Sequence, residues 1–254
     1  MSLHVLTFGG FDIQRSNNSL IKKSKRSKRS HELLEYFITN REKKLSSENI
    51  INNLWSDSES ADPQNVLRTQ IFRIRKLLKE AGLNGSGSAP GETIEIILEN
   101  GFYFIKTGEN CKIDAVLFEN AVIEGDSLKA GDPDAALERY QSAFSLYKGE
   151  YLEGSSGSEW LFITRNRYNR LFIQATLRLF ELLKLKGLWR EVVDYFEQAV
   201  VFEPLEESLH LYYLEALLSL GEFKNALSHY NYITGRILKE LAVKPSAAFR
   251  NIYN

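Results

Sequence analysis

The chain has one cysteine, Cys111, in 254 residues. A single thiol excludes an intramolecular disulfide and any zinc site built from several cysteines of one chain, and it fits a reducing compartment. No apolar run approaches the roughly 20 residues that a helix needs to cross a bilayer, and no signal peptide opens the sequence. The expectation is a soluble, cytoplasmic protein with no membrane partner. Histidine is equally scarce: His4, His31, His210 and His229 are scattered. His210 and His229 fall in helical segments, where packing or solvent is the expected role and metal ligation the lesser alternative. No glycine loop cradles a phosphate, because "GSGSAPG" lacks the Lys-Ser/Thr of a P-loop and follows a helix. Ser155, Ser156 and Ser158 lie in a loop without a nucleophile elbow. These absences leave no enzyme constellation, so no catalytic residue, cofactor or metal is expected.

Net charge is almost missing too, at −1, but the balance is uneven. Residues 1–107 carry 16 Lys/Arg against 12 Asp/Glu, and the remainder carries 16 against 21, so the halves stand at +4 and −5. Such a split suggests two domains and a polyanionic partner for the first. With 43% hydrophobic residues, both halves can build cores.

Along the chain, "LHVLTFGGFDI" is rich in β-branched and aromatic residues and reads as strand, and "SNNS" reads as a turn. "KKSKRSKRS" follows, with six basic residues in nine. It is either a solvated charge run or a phosphate-contacting segment, with Lys25, Arg26, Lys28 and Arg29 as the candidate contacts. From about His31 to Asn40 the period is helical, with Leu33, Leu34, Phe37 and Ile38 on one side. Ser46 or Ser47 can cap a second helix, with Ile50, Ile51 and Leu54 inward and Trp55 at its end. Asp62-Pro63 starts a third, with proline in the first turn, where its missing N–H costs little. "TIEIILENGFYFIK" reads as a hairpin turning at Asn100-Gly101. "TGENCKI" reads as a short junction before residue 114.

The rest is helical and repeats. "GDPDAALERY" at Gly131, "GLWREVVDYF" at Gly187 and "GEFKNALSHY" at Gly221 share Gly first, small or aliphatic sixth and seventh residues, and Tyr or Phe tenth. The last two stand 34 residues apart, the tetratricopeptide period, and Pro204 and Pro245 follow second-helix patterns. An inserted loop, "YKGEYLEGSSGSEW", separates the first two. The expected fold is mainly α. An α+β winged helix-turn-helix over 1–106 is followed by an all-α, tetratricopeptide-like domain over 114–254.

The third helix carries the functional argument. At about 100° per residue, Leu67, Ile71, Ile74 and Leu78 form its buried face. Arg68, Arg73, Arg75, Lys76 and Lys79 occupy the remainder, with no acid before Glu80. Solvated helices usually mix signs, since opposite charges four apart stabilise them. A one-sided basic helix calls for an anion. Phosphates supply one, and Arg can also bind guanine edges in the major groove. In a helix-turn-helix followed by a hairpin, helix 63–81 is the one expected in that groove, with 93–106 as the wing.

"NVLRTQIFRIRKLL" followed by "ENGFYF" resembles the winged helix of OmpR-type regulators, and "IINNLW" resembles the second helix of SARP-type transcriptional activators. "IDAVLFENAV", "ALERYQSAFSLYKGEYLEG", "FEPLEESLHLYYLEALLSLGEFKNALSHY" and "LKELAVKPSAAF" resemble successive helices of the bacterial transcriptional activation domain, a tetratricopeptide-like bundle. The resemblance implies sequence-specific binding to double-stranded promoter DNA, often at direct repeats by adjacent protomers, so that a homodimer can form on DNA. It also implies activation through RNA polymerase. The positions matching Phe72, Arg73 and Arg75 lie on or beside the DNA-facing surface in that family. Phe72 departs from the pattern, since its slot is commonly polar or basic. The candidate DNA contacts are Arg68, Thr69, Phe72, Arg73, Arg75, Lys76, Lys79 and, at the wing tip, Asn100. The alternative function is a tetratricopeptide-like interaction scaffold for which nucleic acid is secondary.

Two aromatics stay open at this level. Phe72 can touch a thymine methyl, be covered by the wing or second domain, or stand as a lone exposed ring. Trp160, after the "GSSGSE" loop, is either core packing or a contact for polymerase or a signal.

Overall fold

The computed structural model describes residues 2–21, 28–56, 62–85, 88–155 and 159–252. The chain divides into two compact units: Met1–Leu117 with Tyr147–Arg167, and Phe118–Leu146 with Tyr168–Asn254. The 1–106 and 114–254 division drawn on composition and repeats leaves the segment around Tyr151 with the helical repeats, whereas by proximity it groups with the first unit, where it is hydrogen-bonded to Thr7 and Gly9 just after the first strand.

The first unit opens with β1 (Leu3–Leu6), β2 (Asp12–Arg15) and β3 (Asn18–Ser19), then α1 (Lys28–Thr39), β4 (Leu45–Ser46), α2 (Ser47–Trp55) and α3 (Pro63–Glu80). It continues with β5 (Ile94–Glu99), β6 (Phe102–Thr107) and β7 (Cys111–Ile113), and takes in the start of α4 (Asp114–Leu128). One sheet has the order β3-β2-β1-β7 and the other β4-β6-β5. Alternation places Leu3, Val5 and Ile13 fully inside. Two expectations change here. The segment before residue 114 is not merely a junction, since Cys111–Ile113 pairs parallel with β1, Leu3 opposite Cys111. Three residues are too short to show a period. The first helix starts at Lys28, three residues earlier than expected.

The strand ends explain how the unit closes. Asp114 is buried, and its carboxylate accepts from Thr7 N (2.7 Å), Phe8 N (3.0 Å), Ala115 N (2.7 Å) and the Thr7 hydroxyl. Burial pushes its pKa up, and these four bonds oppose the rise. Nearby, Leu152 N donates to Thr7 O at 2.6 Å and Gly9 N to Glu150 O at 3.1 Å, and Phe8 bridges Tyr151. A Cβ at Gly9, where φ is +71, would meet the Lys148 carbonyl oxygen at 2.7 Å, so no other residue fits without movement. Arg165 fastens the same loop, donating to the Tyr151 and Leu152 carbonyls.

The second unit contains the rest of α4, α5 (Pro133–Leu146), the remainder of α6 (Glu159–Leu185), α7 (Trp189–Ala199), α8 (Glu207–Ser219), α9 (Phe223–Leu241) and α10 (Ala247–Asn251). The repeat pattern is visible in the burial. Ala136, Val192 and Ala226, the sixth residues of the three motifs, are all buried. Of the tenth residues, Tyr140 and Phe196 are buried, and half-buried Tyr230 stacks on Phe249 with ring centroids 5.4 Å apart. A Cβ at Gly125 would strike the Tyr140 ring at 2.7 Å, so glycine is what lets α4 and α5 approach there. His210 and His229 form a packed pair. Nδ1 of His210 lies 2.9 Å from Nε2 of His229, and Nε2 of His210 lies 3.1 Å from the Pro204 carbonyl. That carbonyl can only accept, so His210 donates to it from Nε2. Burial holds both pKa values low, His229 at about 4 with the neighbouring His210 adding to the fall.

Candidate nucleic-acid interface

The local sequence positions α3 firmly. Ser46 caps α2 by accepting from Asn49 N, and Asp62 caps α3 by accepting from Asn65 N at 3.0 Å, with Pro63 in the first turn. The buried face consists of Leu67, Gln70, Ile71, Ile74 and Leu78. Gln70 is a polar exception, and its side-chain oxygen accepts from the Ser30 hydroxyl of α1 at 2.8 Å. A buried acceptor needs such a donor, so this bond also fixes how α1 meets α3. Ile50 and Trp55 of α2 are buried, while Ile51 and Leu54, expected inward, are half-buried.

Arg68, Thr69, Phe72, Arg73, Arg75, Lys76 and Lys79 are all exposed on the opposite side. At helical spacing Phe72 lies near the middle of this outward arc, with its ring 68% exposed. Lys76 pairs with Glu80 at 3.8 Å, with both side chains largely in solvent, so the pair neutralises little.

Arg75 has a specific occupation. Its Nε and Nη2 both donate to the Ile96 carbonyl of β5, at 3.1 and 2.9 Å. The guanidinium thus braces the wing against α3. Arg75→Ala is expected to cost about 1–2 kcal/mol and to raise hydrogen exchange at the β5 and β6 amides. Specific DNA binding should fall less than with Arg73→Ala. Equal loss of binding with unchanged exchange would return Arg75 to the readers.

The wing is the β5–β6 hairpin, paired from Ile94–Thr107 to Glu99–Phe102. Its two-residue turn has φ of 51° at Asn100 and 82° at Gly101, the left-handed pair that matches strand twist. Beside the tip, Lys44 pairs with Glu99 at 2.6 Å and lies 5.2 Å from the Phe104 ring centroid. Lys44 holds the Glu99 carboxyl below its usual range. Lys44 was not among the sequence candidates. It precedes a two-residue strand, too short to reveal its pairing with β6.

Lys28 and Arg29 are exposed in the first turn of α1. Lys25 and Arg26 lie outside the described residues. Trp160 packs edge-on against Tyr36 of α1, centroids 5.1 Å apart, within the first unit. Its indole nitrogen is buried without a hydrogen-bond partner among the described residues. Cys111 is half-buried, and burial together with Glu92 pushes its thiol up to about 12, which keeps it protonated. Among the described residues, no three His, Cys, Asp or Glu side chains group to hold a metal, and no helix is long and apolar enough to cross a membrane.

Comparison with known proteins finds a family match in each half of the chain. The family described as "Bacterial transcriptional activator domain" matches residues 113–254. The chain belongs to this family. The family described as "Transcriptional regulatory protein, C terminal" matches residues 22–102, which include α1–α3 and most of the wing. The two modules in this order make the chain a SARP-type, DNA-binding transcriptional regulator. The regulatory protein DnrI of Streptomyces peucetius is 23% identical over 206 residues, 80% of this chain and 74% of DnrI. The structure of Mycobacterium tuberculosis EmbR, solved with a low-affinity phosphopeptide, shares the fold with a TM-score of 0.76 at 16% identity. That match covers 99% of this chain, and this chain spans 64% of EmbR.

Proposed function

We propose that this SARP-type regulator activates transcription by laying α3 in the major groove of promoter DNA. The Asn100-Gly101 tip of the wing meets the neighbouring backbone, and the repeat helices of the second unit engage RNA polymerase. The observation that carries this is the outward face of α3: Arg68, Arg73, Lys76 and Lys79 are all exposed, and the one acid within the helix itself is Glu80. Lys28 and Arg29 at the start of α1 add cations for backbone phosphates. Adjacent protomers on direct repeats would form a homodimer on DNA, the protein would work in the cytoplasm, and it would carry out no catalysis of its own.

Titrating the full chain with promoter duplex at several salt concentrations tests the proposal. Each neutralised phosphate adds about 0.9 to the slope of log K against log salt. Lys79→Ala should lower that slope by about one and weaken all sequences alike. A protein that binds no duplex even at low salt would instead be an interaction scaffold.

A further inference from the structure

Phe72 is out of place on chemical grounds. It is a large apolar ring, 68% exposed, in the middle of a helix face whose other members are polar or charged. Thr69 and Arg68 precede it by three and four residues, Arg73 follows by one, and Lys76 by four, so cations stand on both sides along the helix. Arg75, three residues on, is committed to the Ile96 carbonyl. The side chain left to meet whatever faces the centre of the arc is therefore Phe72.

We infer that Phe72 reads the C5-methyl group of thymine in the major groove, and this rests on the DNA-binding reading above. The cations explain the approach: attraction of the basic face to the duplex brings the centre of α3 against the base edges. What the ring meets there is restricted. Guanine offers two acceptors in the major groove, cytosine a donor and adenine one of each, whereas thymine alone adds a methyl. Pressed on a donor or acceptor, the ring would strip its water and return no hydrogen bond. Pressed on a methyl, it removes apolar surface of both partners from water. One side chain thus favours thymine and disfavours the other bases at its position, an attraction and a rejection together.

The test uses the full chain and duplexes it retains from a random-sequence pool. Each thymine of a retained duplex is replaced in turn by deoxyuridine, which removes the methyl and changes no hydrogen-bonding group. Wild-type protein should bind about fivefold more weakly at one or two positions. Phe72→Ala should bind thymine and uracil duplexes equally there, with its thermal midpoint and salt slope unchanged. Phe72→Leu, still apolar, should keep part of the discrimination. Indifference of the wild type to every uracil overturns the inference, as does an alanine variant that still discriminates. Normal duplex binding by Phe72→Ala with lost self-association would show that a second copy covers the ring, which also overturns it. A wild-type chain that retains no duplex removes the DNA-binding reading itself, and is recognised by the absence of any binding to compare.

Discussion

Asp114→Ala is expected to lower the thermal midpoint by about 10 °C, corresponding to about 3–4 kcal/mol for a chain of this size. The carboxylate accepts four hydrogen bonds at the junction of β1 and α4, from Thr7 N, the Thr7 hydroxyl, Phe8 N and Ala115 N. Alanine removes all four and leaves buried donors without acceptors. Ionised Asp114 is itself strained by burial, as its raised pKa records. Removing only the charge should therefore hurt less. In Asp114→Asn one oxygen can still serve Thr7 N and Phe8 N, although the new NH2 faces the Ala115 N–H. About half the loss is expected, read as the first melting transition by circular dichroism. An alanine variant that melts with the wild type would show that the junction does not limit stability.

The other large effect concerns binding. Arg68→Ala with Arg73→Ala should weaken specific DNA binding by about a hundredfold or more, since an Arg that reads a base carries about 1–3 kcal/mol of discrimination. The two flank Phe72 on the exposed arc, and neither is held in an ion pair among the described residues. Truncating exposed side chains outside the core should leave the stability within about 0.5 kcal/mol of wild type. That separates them from Arg75, whose loss loosens the wing. Binding to random duplex should fall less than binding to the operator. If specific and random binding decline together, the pair holds phosphates and reads no base. If neither changes, α3 is not the interface.

Features that depend on a few neighbouring residues could be read from the sequence. Asp62-Pro63 and Ser46 act as helix starts, Asn100-Gly101 is the hairpin turn, and the Gly-led repeats bury their sixth residues. Each has a local cause: a capping oxygen, a left-handed turn, a helical period. Distant partners left no such mark. β7 has three residues and pairs with a strand more than 100 positions away. Asp114 could be read as a helix start, but not as the acceptor for Thr7. Arg75 stood in the basic face by spacing, and nothing in that spacing pointed to the Ile96 carbonyl. Trp160 belonged to the repeats by position, yet packs on Tyr36.

The loop from Tyr147 to Ser155 has a consequence for the order of synthesis. β1 leaves the ribosome first, but Thr7 and Gly9 bond to Leu152 and Glu150. At roughly 5–20 residues per second, the nascent strand waits on the order of ten seconds for them. During that interval the Phe8 ring has not yet met Tyr147 and Tyr151. The same long separation between Thr7 and Leu152 raises the contact order of the unit and slows its closure. A gene fragment ending soon after the wing would lengthen the delay indefinitely, leaving the end of β1 open to whatever other chain can pair with it.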